Sequence, residues 1–185
     1  MSPIEIVASV CGLLSVIFTV RRSLWCWPTG LVMVALYIVI FYEAKLYSDV
    51  GLQVVYVVLQ LYGWWYWANG GVEEERPVRR LSGARRALWA AVALLGTLGL
   101  GTFTSTYTDA ALPYPDAFIT ALSLVAQWLM GRKVWESWVG WIVVDLVAVP
   151  VYASKDLFLT AGLYLVFLGL AISGLVAWRR VEQRP

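Results

Sequence analysis

VWESWVGWIVVDLVAVPVY, residues 134–152, is the stretch on which the fold turns. Arg132 and Lys133 precede it and Lys155 follows it, while past Glu136 the only charged side chain inside it is Asp145. About 20 predominantly apolar residues, rising about 1.5 Å each as a helix, match the hydrocarbon layer of a bilayer. The stretch therefore reads as a membrane span. Six more runs of the same kind lie around it, at 4–20, 27–42, 50–67, 87–103, 117–130 and 157–178. The composition leaves little room for another reading. Of 185 residues 61% are hydrophobic and 14% charged, whereas soluble domains carry about 25% charged residues. A water-soluble globule of this size could not cover its surface with so little charge. No basic arm points to nucleic acid. With no histidine and only Cys11 and Cys26 for thiols, zinc sites, histidine triads and disulfide scaffolds are excluded, and no metal or cofactor is expected.

The loop charges test the count. If seven spans are real, loops alternate sides and basic residues collect in the cytoplasm. The loops after spans one, three and five and the C-terminal tail hold Arg21, Arg22, Arg76, Arg79, Arg80, Arg85, Arg86, Arg132, Lys133, Arg179, Arg180 and Arg184, twelve of the fourteen Lys and Arg residues. Lys45 and Lys155 are the other two. Adding or deleting a span would scramble this separation, so the expected topology has the N-terminus outside and the C-terminus inside. The first run has no basic leader before it and no small-residue cleavage site after it, and reads as mature structure.

An internal repeat supplies the organisation. The constant offset that places Trp27 on Trp138 also places Gly51 on Gly162, Gly63 on Gly174 and Trp67 on Trp178, without a gap. It pairs Arg21 with Arg132, Arg22 with Lys133, Leu46 with Leu157 and Glu5 with Asp116 as well. Spans one to three thus correspond to spans five to seven, with span four as connector. The expected parts are a first three-helix repeat over 1–72, a cytoplasmic linker at 73–86 (EEERPVRRLSGARR), a connector over 87–110 and a second repeat over 111–185. Because span four returns the chain to the outside, the repeats run parallel, as in a class of transporters that binds substrate near the midplane.

Polar side chains inside hydrocarbon are costly unless they face a cavity or one another, so their phase marks the interior. Asp116, Thr120, Ser123 and Gln127 share one helical face of span five, and Glu5, Ser9 and Gly12 share one of span one. Gln53, Tyr56 and Gln60 line span three, continued by Gly63 and Trp67; Trp138, Trp141, Asp145 and Tyr152 line span six; Tyr164 is the repeat mate of Gln53. Ser9, Thr120 and Ser123 read as interhelical glue. The terminal tryptophans Trp25, Trp27, Trp64, Trp67 and Trp178 read as an interfacial aromatic belt.

Asp145 is different. An aspartate in mid-span costs about 2.5 to 3.5 kcal/mol, and no basic residue lies at comparable depth in another span. It is either protonated and hydrogen-bonded, or its partner is a cation that arrives from outside. Trp141 and Trp138 stand one and two turns from it on the same side. Aromatic faces stack flat rings and attract cations, while Gln and Asp hold polar substituents. The set Trp138, Trp141, Asp145, Gln53, Tyr56, Gln60, Gln127 and Tyr164 suits a flat, polar heterocycle and not a bare ion or a lipid. An intramembrane enzyme is disfavoured, because no histidine, no paired Ser and Lys in phase and no metal cluster occur in the spans.

The segments FYEAKLYSDVGLQVVYVVLQLYGWWYW (41–67) and RKVWESWVGWIVVD (132–145), with Glu5, the Trp27-Pro28-x-Gly30 start of span two and PDAFITALSLVAQWL (115–129), resemble the PnuC family of vitamin-precursor transporters. The resemblance covers nearly the whole chain and includes thiamine-carrying relatives. It implies an all-α membrane fold of seven spans arranged three, one and three, a full-length relative of the SWEET fold, in a bacterial inner membrane. It also implies facilitated diffusion of nicotinamide riboside, thiamine or riboflavin, made one-way by a cytosolic kinase, and leaves self-association open. Asp145 stands where the riboside members carry asparagine, which leaves the substrate open: a carboxylate serves the pyridinium of nicotinamide riboside or the thiazolium and aminopyrimidine of thiamine, and fits neutral riboflavin less well. Nicotinamide riboside is the first expectation and thiamine the second.

Overall fold

The computed structural model describes residues 3–43, 47–69, 77–108, 111–154, 156 and 158–183. Lys45, Leu46, Arg76, Lys155, Leu157 and Arg184, with the first four residues of the expected linker, lie outside the described residues. Among the described residues the chain forms seven helices and no strand: α1 (Pro3–Val20), α2 (Cys26–Glu43), α3 (Tyr47–Ala68), α4 (Gly83–Tyr107), α5 (Pro113–Gly131), α6 (Glu136–Ser154) and α7 (Phe158–Glu182). Each expected run falls on one helix. α1, α2, α4, α6 and α7 are long and apolar enough to cross a membrane. α3 and α5 are the helices that carry the glutamine and Asp116 stripes, which lowers their hydropathy. Exposed Leu88, Leu94, Leu95, Leu98 and Phe103 on α4 would be a liability in water and are the normal surface of a helix solvated by lipid. The protein is a multi-pass membrane protein.

Local chemistry explains the helix ends. α1 and α5 both begin with proline, whose missing N–H is no loss at the first helical position, and carry Glu5 and Asp116 in the first turn, near the positive end of the helix dipole. Ser82 caps α4, its hydroxyl accepting from the Arg85 N–H at 3.4 Å. The turns out of α1 and α5 pass through left-handed backbone at Arg22 (φ 57°) and Lys133 (φ 54°), non-glycine residues in a region that few side chains tolerate. These two positions are partners under the repeat offset. The end of α1 and the end of α5, the end of α2 and the end of α6, and the start of α3 and the start of α7 keep that offset too.

The chain divides into two compact units, Met1–Pro77 with Gly131–Lys133, and Val78–Met130 with Val134–Pro185. In the first, α2 packs on both α1 and α3. The Trp27 ring lies against Gly63, where a Cβ would collide with it, and meets Trp67 edge to face at 5.2 Å and 86°. Trp67 Nε1 donates to the Gly131 carbonyl at 3.1 Å, and the Lys133 ammonium sits 4.9 Å over the Trp67 ring. In the second unit α6 packs on α7, with the Trp138 ring against Gly174 and edge to face with Trp178 at 5.6 Å and 87°. The connector α4 is part of this unit: Ala93 joins Val125, Leu129 and Val134 in one apolar cluster.

These contacts correct the aromatic-belt reading for three residues. Trp27, Trp67 and Trp178 are buried at 2%, 5% and 0% exposure, whereas Trp25 and Trp64 are exposed as a belt requires. A glycine on the facing helix opens a socket the size of an indole, and filling it gains more contact than an interfacial position offers.

Candidate functional site

The polar face of α6 is the centre of the candidate site. Its pitch carries Trp138, Trp141 and Asp145 up one side at intervals of three and four residues. Asp145 is 3% exposed, and among the described residues it has no salt bridge. A lone buried carboxyl is expensive, so the surrounding fold must tolerate a cost that a core residue would not incur. One turn further, Pro150 lies inside the helix. Proline lacks the N–H that the Leu146 carbonyl would otherwise accept from, which leaves that acceptor available near Asp145.

Around this face the second unit assembles an aromatic wall. Ile119 of α5 and Val144, Ala148 and Val151 of α6 form a buried cluster, and Trp141, Tyr152 and Tyr164 pack against it, each partly buried. Tyr164 of α7 meets Tyr152 at 5.1 Å and Phe167 edge to face at 6.0 Å. Sequence reasoning thus identified, in Trp141 and Tyr164, two rings that the structure brings to the same cluster. Tyr152, named in the α6 stripe but left out of the site set, belongs with them. Its signal was present in the helical phase.

Trp138 takes a different position. Its ring fills the Gly174 socket at 2% exposure, with Nε1 buried and without a hydrogen-bond partner among the described residues, so it holds α6 to α7. Gln127 on α5 is half-buried. In the first unit, Gln60 is buried with its amide pressed on the Gly30 backbone, where any side chain at 30 would displace it. Gln53 and Tyr56 are half-buried on α3. Glycine at 30 is what lets an amide approach α2 so closely. Periodicity along one helix does not reveal such a contact, since it joins residues of two helices.

The profile of the nicotinamide mononucleotide transporter family matches residues 2–180. The riboflavin/roseoflavin transporter RibM of Streptomyces davaonensis is 29% identical, over 98% of this chain and 88% of its own. The nicotinamide riboside transporter PnuC of Escherichia coli is 26% identical over 96% of this chain and 85% of its own. The crystal structure of the vitamin B3 transporter PnuC aligns with a TM-score of 0.77 at 28% identity, covering 96% of this chain and 81% of that one.

Proposed function

The chain belongs to the nicotinamide mononucleotide transporter family, and on that premise we propose that it imports nicotinamide riboside by facilitated diffusion. The observation that carries the reading is Asp145, buried at 3% exposure and without a salt bridge among the described residues, one turn from Trp141. A pyridinium ring answers both needs at once. Its positive charge faces the carboxylate and its flat face stacks on indole and phenol rings. Trp141, Asp145 and Tyr164 take the ring, Gln53, Tyr56, Gln60 and Gln127 supply hydrogen bonds to the sugar and carboxamide, and Trp138 bounds the site while fixing the rotation of α6. Related vitamins of the same shape class, thiamine among them, compete for this set.

The proposed arrangement is three, one and three, in which α1–α3 and α5–α7 are parallel repeats. The matched helix ends, the paired left-handed turns and the paired Trp–Gly sockets support it. The basic residues of the α1–α2, α3–α4 and α5–α6 loops support an N-terminus outside the cell membrane and a C-terminus in the cytoplasm. With Asp145 alone at depth and no relay of ionisable groups among the described residues, the carrier is equilibrative, and a cytosolic kinase that phosphorylates the product makes uptake one-way. A cysteine placed at the exposed Ser82, in a chain with Cys11 and Cys26 replaced, is expected to resist impermeant thiol reagents added outside intact cells; rapid labelling reverses the topology.

A second reading is riboflavin, favoured by the likeness to RibM over 98% of this chain. Proteoliposomes with labelled nicotinamide riboside, challenged with unlabelled thiamine and riboflavin, decide between them. The expected result is saturable uptake that stops at equal concentrations and is competed least by riboflavin. No uptake of nicotinamide riboside by vesicles that do take up labelled riboflavin overturns the riboside reading, and accumulation on an imposed proton or sodium gradient overturns the equilibrative one.

A further inference from the structure

At one end of the second unit a tryptophan is framed by cations. Trp135, just before α6, has the Arg86 guanidinium 5.8 Å from its ring centroid and the Arg179 guanidinium at 5.1 Å. Arg86 and Trp135 are held in place. Arg86 donates through Nε and Nη2 to Glu136 Oε1 at 3.0 and 2.8 Å, and the Leu81 N–H donates to the same oxygen at 3.0 Å. The Trp135 backbone N–H donates to the Arg79 carbonyl at 3.1 Å, beside the bridge between Arg79 and Val134. Arg179 is exposed and forms no ion pair among the described residues; Glu182 follows it by one turn in α7. The indole Nε1 of Trp135 is buried and has no hydrogen-bond partner among the described residues.

The rest of the surface has two layers. Arg79, Arg80, Arg85 and Arg180 extend the basic rim, all exposed. Exposed apolar side chains follow in helical phase with it: Val139 four residues after Trp135 and Val176 three before Arg179, at 41% and 44% exposure. A basic rim on its own is an ordinary solvated helix end. Here it frames a fixed indole with an unsatisfied donor and continues into hydrocarbon-facing surface.

We propose that Arg86, Trp135 and Arg179 bind the phosphate of an anionic phospholipid whose acyl chains lie on Val139 and Val176. A guanidinium offers parallel N–H donors to phosphate oxygens, and the buried indole N–H adds a neutral donor. Basic pockets between helices at the membrane boundary take anionic headgroups by this chemistry. The occupant is a lipid and not a soluble phosphate, because a soluble ion would leave the apolar layer uncovered. Bound there, the lipid ties together the ends of α4, α6 and α7, independently of the substrate.

Native mass spectrometry of the purified full-length protein, titrated with phosphatidylglycerol, phosphatidylcholine or glycerol phosphate, tests this. Phosphatidylglycerol is expected to remain bound and phosphatidylcholine to be released, with glycerol phosphate unable to displace the lipid. Arg179→Gln, and Trp135→Phe, which keeps a ring but removes the N–H, are each expected to weaken phosphatidylglycerol about tenfold. Equal retention of both lipids, or unchanged binding in Arg179→Gln, overturns the site. Displacement by glycerol phosphate overturns the lipid occupant. Should Trp135→Phe not fold, Arg179→Gln decides, since its side chain is exposed.

Discussion

The two helix triplets, α1–α3 and α5–α7, share a frame and differ inside it. Trp27, Gly63 and Trp67 correspond to Trp138, Gly174 and Trp178, and the ring pairs meet at 5.2 Å and 86° in one and 5.6 Å and 87° in the other. The left-handed turns at Arg22 and Lys133 correspond as well. Other matched positions have diverged. Where the first triplet has Gly30 and Gln60, the second has Trp141 and Ala171, so the bulk has moved from one helix to the other and changed from amide to indole. Buried Val34 corresponds to buried Asp145, and Val39 to Pro150. A heterocycle joined to a sugar has no two-fold symmetry of its own. What the triplets share is therefore suited to scaffold, and what they do not share is suited to recognising an asymmetric substrate.

That division can be broken by mutation. The largest effects are expected in the shared frame: Trp27→Ala and Trp138→Ala each remove a buried indole and its edge-to-face partner, at about 3–5 kcal/mol of stability. Thermal unfolding in detergent checks this, and a pair of costs that differ severalfold would end the equivalence. Gly30→Ala comes next. Its new methyl meets the Gln60 amide, so overpacking of about 1–3 kcal/mol is expected, together with weaker substrate binding as Gln60 is displaced; calorimetry and unfolding on the same sample separate the two. The smallest effect is expected at Gly51 and Gly162, a matched pair where an added methyl would find no atom within 4 Å. Alanine at either position changes stability by no more than the helix propensity difference, about 1 kcal/mol and in the stabilising direction.

Much of the frame was legible because hydropathy and charge act along the chain. Seven apolar runs became seven helices, since each run buries its backbone polar groups in its own hydrogen bonds whatever its neighbours do. The site was legible in part. Helical phase put Trp141 and Asp145 on one face, and the repeat linked Tyr164 to Gln53. What the residue order could not display was depth between helices. Trp27 and Trp138 read as belt and site residues because a tryptophan near a span end satisfies both descriptions; the deciding fact in both cases is a glycine on the next helix. The matched Trp and Gly pairs in the repeat carried that signal. The clamp of Arg79, Leu81 and Arg86 on Trp135 and Glu136 had no such signal, because it joins segments far apart in the chain through backbone groups and one carboxylate.

The central claim is that the diverged carboxyl of α6 recognises a cationic ring. Asp145→Asn keeps the shape and removes the charge, and isothermal calorimetry of purified wild type and variant with nicotinamide riboside measures the difference. A charge-assisted contact is worth about 1.5–3 kcal/mol, so the account predicts binding weakened about tenfold to a hundredfold. Unchanged affinity in a folded variant would contradict it.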